Sequence, residues 1–263
     1  MSNGQLRKHD NFRSRFLRNQ RDLVVYLPPG YDEQHSRRFP VLYLHDGQNL
    51  FDRATSFAGQ DWNVQGAADF LINAGSLAPL IVVGIYNTGK SRIFEYTPTK
   101  APKLGGGRAD RYAKFLLQEV MPFIQTQYRV DANPRLTGIG GSSLGGLVSL
   151  YLGLKLPHSF GKIAALSPSV WWNQRVIYRF AAAARVDPHP AIWLDIGTKE
   201  GPRIVPDVEQ FRDILLQKGW ALGHDLHYER IEGGERLPNA LFLVVHRHNE
   251  AHRRMEIPRA RHR

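Results

Sequence analysis

The segment Gly138-Ile139-Gly140-Gly141-Ser142-Ser143-Leu144-Gly145-Gly146 constrains this chain more than any other. A β-rich run over residues 136–140 enters it, and an apolar helical pattern (Leu147, Leu150, Tyr151) leaves it. Within it, Gly141-Ser142-Ser143-Leu144-Gly145 has the G-x-S-x-G spacing. Where a strand turns abruptly into a helix, backbone and helix crowd together, and the flanking positions cannot carry side chains. Such a turn lifts the central hydroxyl, Ser143, above the sheet. It also aims backbone N–H groups and the helix dipole at the same point. The chemistry served is nucleophilic attack by a serine. A glycine-rich packing turn with an inert serine is the competing reading, and the strand–turn–helix context argues against it.

The rest of the chain repeats this alternation. Strand patterns cover residues 23–27, 41–45, 80–85, 136–140, 163–166, 191–196 and 226–231. Helical patterns cover 62–73, 109–127, 144–154, 174–184 and 205–218. Short, continuous apolar strands such as Leu80-Ile81-Val82-Val83 suit burial on both faces. The expectation is an α/β fold, a mostly parallel central sheet flanked by helices. No repeat or composition break divides the 263 residues, so one domain is expected over 1–263, with 236–263 atypical.

Three other function classes must be weighed. Gly84-Ile85-Tyr86-Asn87-Thr88-Gly89-Lys90-Ser91 matches the phosphate-loop pattern G-x-x-x-x-G-K-[ST]. That chemistry needs a helix starting at Lys90. The residues that follow include Pro98, Pro102 and Gly105-Gly106-Gly107, which break helices, so nucleotide binding is disfavoured. A net charge of +11 raises nucleic acid, but the basic residues are dispersed apart from stretches near 13–21 and 253–263, so none is expected. With no cysteine, disulfides, thiolate metal sites and cysteine nucleophiles are excluded. No apolar run is long enough to cross a bilayer, and residues 1–11 lack the apolar stretch of a signal peptide. A cytoplasmic protein without membrane contact is expected, although trimming could hide a leader. Oligomeric state is not readable.

Several motifs in order resemble the putative-esterase family of α/β hydrolases: Val41-Leu42-Tyr43-Leu44-His45-Asp46-Gly47-Gln48-Asn49-Leu50-Phe51-Asp52, Asp61-Trp62, Arg92 with Glu95-Tyr96-Thr97-Pro98, the serine turn, and Ser167-Pro168-Ser169-Val170-Trp171-Trp172. That family includes enterochelin-type, feruloyl and acetylxylan esterases, S-formylglutathione hydrolases and mycolyltransferases. The resemblance runs from about Phe16 to Gly234. It implies a small-molecule ester substrate, a Ser–acid–His triad, and neither cofactor nor metal. It further implies an oxyanion hole made by the Leu144 N–H and the Gln48 N–H, the latter from the turn after an early strand. His45 and Asp46 then stabilise that turn and shape the pocket. Trp171 and Trp172 follow a strand's carboxyl end, where ligands bind in open α/β sheets, so at least one is expected as pocket wall. With Tyr96 they would suit an aromatic or sugar-linked acyl group.

For the acid, residues 191–200 offer two carboxylates. Asp195 lies inside a strand pattern, whereas Glu200 lies beyond it after a Gly-Thr turn, as the family's acid does; Glu200 is preferred. The histidine is less regular. The family's histidine follows a Gly-Gly turn, but here Gly233-Gly234-Glu235 leads to Arg236 and an apolar stretch. Reading that stretch as an insertion makes His248 the base, with His246 and His252 as alternatives. His224 and His227 fall before or within the last strand, at its wrong end. Two other readings stay open: an altered C-terminus that leaves a binding module, and an acyltransferase on the same site. His248-Asn249-Glu250-Ala251-His252 lacks H-E-x-x-H spacing, so no metal is expected.

Overall fold

The computed structural model describes residues 3–185 and 189–232. In chain order the strands are β1 (Gln5–Ser14), β2 (Asn19–Leu27), β3 (Val41–His45), β4 (Ile81–Ile85), β5 (Lys100–Ala101), β6 (Gly105–Gly106), β7 (Thr137–Ser142), β8 (Lys162–Leu166), β9 (Ala191–Gly197) and β10 (Leu226–Ile231). The helices are α1 (Val64–Asn73), the single turn α2 (Arg92–Glu95), α3 (Ala109–Phe115), α4 (Met121–Gln127), α5 (Leu144–Lys155), α6 (Trp172–Ala183) and α7 (Ile204–Gln217). A π turn, Leu116–Val120, joins α3 to α4.

Eight strands form one sheet in the order β1-β2-β4-β3-β7-β8-β9-β10, while β5 and β6 pair separately. From β4 to β10 the pairings are parallel; β1 and β2 are antiparallel. This is the α/β-hydrolase fold. The central strands β3, β4, β7 and β8 are buried along their whole length, as continuous apolar sequence between two helical layers requires. Because those strands are parallel, β3, β7, β8 and β9 all end on the same edge of the sheet.

Two layers of core lie against the sheet. The larger gathers Tyr112, Phe115, Leu150, Phe160, Ile163 and Phe211 among others. The smaller packs Leu50, Val64, Ala68 and Leu71 on Leu42, Leu44 and Val82. Helix α5 is buried from Gly145 to Leu154, so it is a spine threaded through the core. Among the described residues no helix is long and apolar enough to cross a membrane.

Three elements differ from the sequence expectation. β1 has a nearly all-exposed pattern and carries charge on both faces, so it has no period-2 signal; it adds as an antiparallel edge strand with a register shift between His9 and Phe12. In α6, Asn173, Gln174 and Arg175 take left-handed angles (φ 41, 57 and 58) before the regular helix continues. The segment 92–98, expected to be non-helical, begins with the one-turn α2.

Candidate active site

Ser143 stands between β7 and α5 at φ 58, ψ −118, a left-handed conformation that a non-glycine residue holds only under constraint. Three backbone bonds supply that constraint. The Ser143 N–H donates to the Leu166 carbonyl (3.0 Å), and the Ser143 carbonyl accepts from Leu147 (3.0 Å) and Ser169 (2.9 Å). The side chain of Ser143 is exposed, while its neighbour Ser142 is buried. The flanking glycines leave little room for a side chain. A Cβ on Gly141 would lie 3.1 Å from Gly145 backbone atoms and from the His45 Cβ, and one on Gly146 would lie 3.0 Å from the Pro168 Cβ. The bare backbone of the serine turn therefore packs against the side chain of His45 at the end of β3.

The β3 turn is fixed by charge. Asp46, itself at φ 57, accepts from Arg92 at both oxygens (Nε to Oδ1, 2.8 Å; Nη2 to Oδ2, 2.7 Å) and from the Asn87 amide (2.7 Å). Gln48 Oε1 accepts from the Asn87 N–H (3.2 Å). The 3₁₀ turn Gly47–Asn49 presses on β4 so closely that a Cβ on Gly47 would sit 2.5 Å from the Gly84 carbonyl carbon. His45 is fully buried, with Nδ1 2.9 Å from the Tyr112 hydroxyl. Burial pushes its imidazole down to about 3; Asp46 opposes that shift, and Arg92 and Arg21 add to it. His45 is thus a neutral structural group. Beneath it, Arg21 and Glu95 form a buried ion pair (2.9 Å), with the guanidinium carbon 4.7 Å from the Phe115 ring centre.

These contacts explain the residues of the phosphate-loop pattern. Asn87 serves Asp46 and Gln48, and also accepts the Gly89 N–H (2.8 Å). Lys90 is exposed in the 3₁₀ turn Gly89–Ser91. The helix after it is one turn long and ends in Glu95, which faces Arg21.

Two expected pocket residues need correction. Tyr96 is fully buried, its hydroxyl accepting the Asp46 N–H (3.3 Å); it props the turn from below. Trp172 is also buried, with its indole N–H donated to the Thr99 carbonyl (2.9 Å). Both rings belong to the core. Asp46, 3% exposed, shapes the site through Arg92 and offers little surface for contact. Trp171, by contrast, is 41% exposed beyond the end of β8.

The two acid candidates differ sharply. Asp195 is fully buried in β9; Oδ1 accepts the Ser167 N–H (2.9 Å) and Oδ2 the Trp193 indole N–H (3.0 Å). Glu200 is exposed in the loop after β9, on the edge where β7 also ends. Of the histidines, His227 lies within β10 stacked on Trp193 (4.0 Å), and His224 precedes that strand. His246, His248 and His252 lie outside the described residues. Among the described residues no group of three His, Asp or Glu side chains could hold a metal ion.

Sequence reasoning missed Asn87 and Ser169 as site residues, and gave Arg92 no role beyond its place in a motif. Ser169 Oγ lies 3.1 Å from Ser143 Oγ. It stands within the motif Ser167–Trp172 but shows no role there, because the two serines meet only when β8 lies beside β7.

The model of a family described as "Putative esterase" matches residues 14–220. The uncharacterized protein YbbA of Bacillus subtilis (strain 168) is 30% identical over 214 residues, 76% of this chain and 80% of YbbA. The siderophore triacetylfusarinine C esterase of Aspergillus fumigatus is 31% identical over 180 residues; the match spans 64% of this chain and 59% of that esterase. Among solved structures, the BES protein from Bacillus cereus superposes with a TM-score of 0.70 at 21% identity, covering 94% of this chain and 96% of its own. At that identity the likeness is one of fold.

Proposed function

The chain belongs to the putative-esterase family, and on that premise we propose that it hydrolyses carboxylic esters through an acyl-enzyme on Ser143. The observation that carries this reading is the strained, exposed Ser143 at the start of a buried helix. A serine there has its hydroxyl free of the sheet and the unpaired N–H groups of a helix start beside it. In acylation the Ser143 proton passes to a histidine base as Oγ bonds the ester carbon, and the alcohol leaves carrying that proton. Water then yields one proton to the base as its oxygen bonds the acyl carbon, and the acid departs as Oγ takes that proton from the base.

We assign the base to His248. Glu200 orients it; the burial of Asp195 and the engagement of both its oxygens favour the exposed Glu200 as the acid. The oxyanion falls to the N–H groups of Leu144, first in α5, and of Gln48, within the 3₁₀ turn that Asp46, Arg92 and Asn87 hold in place. A small-molecule ester is the substrate. A siderophore esterase stands among the relatives, and the exposed Trp171 beyond the end of β8 favours an acyl group with a flat part.

Ser143→Ala tests the core of this reading. It should lower turnover of p-nitrophenyl acetate by roughly four to six orders of magnitude, whereas Ser142→Ala stays near the parent. A fluorophosphonate should label Ser143. Full activity in Ser143→Ala, or labelling elsewhere, overturns the assignment. An acyltransferase would form the acyl-enzyme but release it slowly to water, which a burst without steady turnover would reveal.

A further inference from the structure

We propose that Ser169 is a second catalytic hydroxyl, donating a hydrogen bond to the nucleophilic oxygen of Ser143; this rests on Ser143 being the nucleophile. The Ser169 hydroxyl lies 3.1 Å from Ser143 Oγ, and among the described residues that is its only hydrogen-bond partner. Ser169 is 4% exposed, so water does not readily serve it. A buried hydroxyl with one acceptor in reach turns its proton there. The Ser143 lone pair then receives Ser169, and the proton of Ser143 is left free for transfer to the base.

The scaffold holds Ser169 in register. Its N–H donates to the Ser143 carbonyl (2.9 Å), which locks the two residues to each other on adjacent strand ends. Its own carbonyl accepts from Trp172 (3.1 Å). Two residues earlier, Ser167 takes φ 38, with its N–H on the buried Asp195 carboxylate (2.9 Å) and its hydroxyl accepting the Gly197 N–H (3.3 Å). Pro168 between them packs on Gly146 of α5. This gives Asp195 a role: it anchors the turn that presents Ser169.

The chemistry follows from where charge develops. As the base removes the Ser143 proton, Oγ gains negative character before its bond to the acyl carbon is complete. The same oxygen becomes negative again in deacylation, when it leaves the tetrahedral intermediate and before the proton returns. A donor aimed at Oγ strengthens in both moments, because a hydrogen bond to a charged acceptor is stronger than one to a neutral acceptor. Ser169 neither gives up its proton nor forms a covalent bond.

The test compares the parent with Ser169→Ala, Ser169→Thr and Ser143→Ala. Two rates are read: fluorophosphonate labelling of Ser143, followed by mass, and turnover of p-nitrophenyl acetate per labelled site. Counting labelled sites removes any unfolded fraction. Ser169→Ala is expected to slow both rates about tenfold, the loss of one modest hydrogen bond at the reacting oxygen. Ser169→Thr, which keeps the hydroxyl, should lose less of both rates than Ser169→Ala. Unchanged or faster rates in Ser169→Ala overturn the proposal, as does an equal loss in Ser169→Thr. Ser143→Ala that still turns over ester overturns the nucleophile assignment instead, so the two failures are told apart.

Discussion

Single residues here act mostly by fixing other residues. Asp46 sits at φ 57 and has both carboxylate oxygens engaged, two bonds from Arg92 and one from Asn87. Removing Arg92 frees the turn that carries Gln48 without touching Ser143. Arg92→Ala should therefore lower kcat about 10- to 100-fold with a smaller change in KM, as expected when the transition state alone is deprived of a hydrogen-bond donor. Arg92→Lys should recover little, since an ammonium cannot repeat the two-pronged grip. Steady-state kinetics on p-nitrophenyl acetate checks both; parent-like kcat in Arg92→Ala would show that the turn holds without it. Residues of this kind are hard to read from sequence. The strained turn at Ser143 was legible because its demands are local: glycines two residues away on each side and a strand before a helix. Tyr96 and Trp172 looked like pocket walls because aromatic side chains near motifs can face either way, and only packing decides. The histidine assignment rests on residues 233–263, outside the described part of the chain.

Elements were legible where their own residues carry a strand or helix pattern. β3, buried throughout, falls on the expected bounds, residues 41–45, and β10 does so at 226–231 although only its two end residues are buried. β1 did not, because it is held by backbone pairing to β2 and hides almost no side chain. The single turn α2 was missed for a related reason: four residues have no helical period to detect, and tertiary contacts hold them. One of these contacts is the buried pair between Glu95 of α2 and Arg21 of β2. Neither charge was placed in the core by pattern, yet both side chains are at most 3% exposed. Breaking such a pair strands the other charge in a poorly polarisable interior. Glu95→Ala should cost about 3–5 kcal/mol of stability, the range for one partner of a buried pair. Urea unfolding measures it; a loss under about 1 kcal/mol, as for exposed pairs, would mean Arg21 finds water.

At the scale of the whole molecule, proton uptake should set an acid limit to the fold. His45 is neutral when folded, with its imidazole pushed by burial from an ordinary 6.5 down to about 3. Unfolding restores the ordinary value, so below about 6.5 the unfolded chain binds a proton that the folded chain refuses. Stability is then lost as pH falls through the window from about 6.5 to about 3, at up to about 1.4 kcal/mol per pH unit for this one group. Burial lowers His9 and His227 as well, and both act in the same direction. Urea unfolding between about pH 7 and about pH 4 should give a shallower slope for His45→Phe than for the parent. Equal slopes would mean that His45 is protonated in the fold. The sheet order has a consequence of another kind. β3 lies between β4 and β7, yet β7 is made more than ninety positions after β3 begins. Until the ribosome has delivered Thr137–Ser142, one margin of a strand that is apolar from Val41 to Leu44 has nothing to pair with. The growing chain must therefore carry a sticky, half-finished sheet for much of its synthesis, and the strand that finally shields it is the one that leads into Ser143.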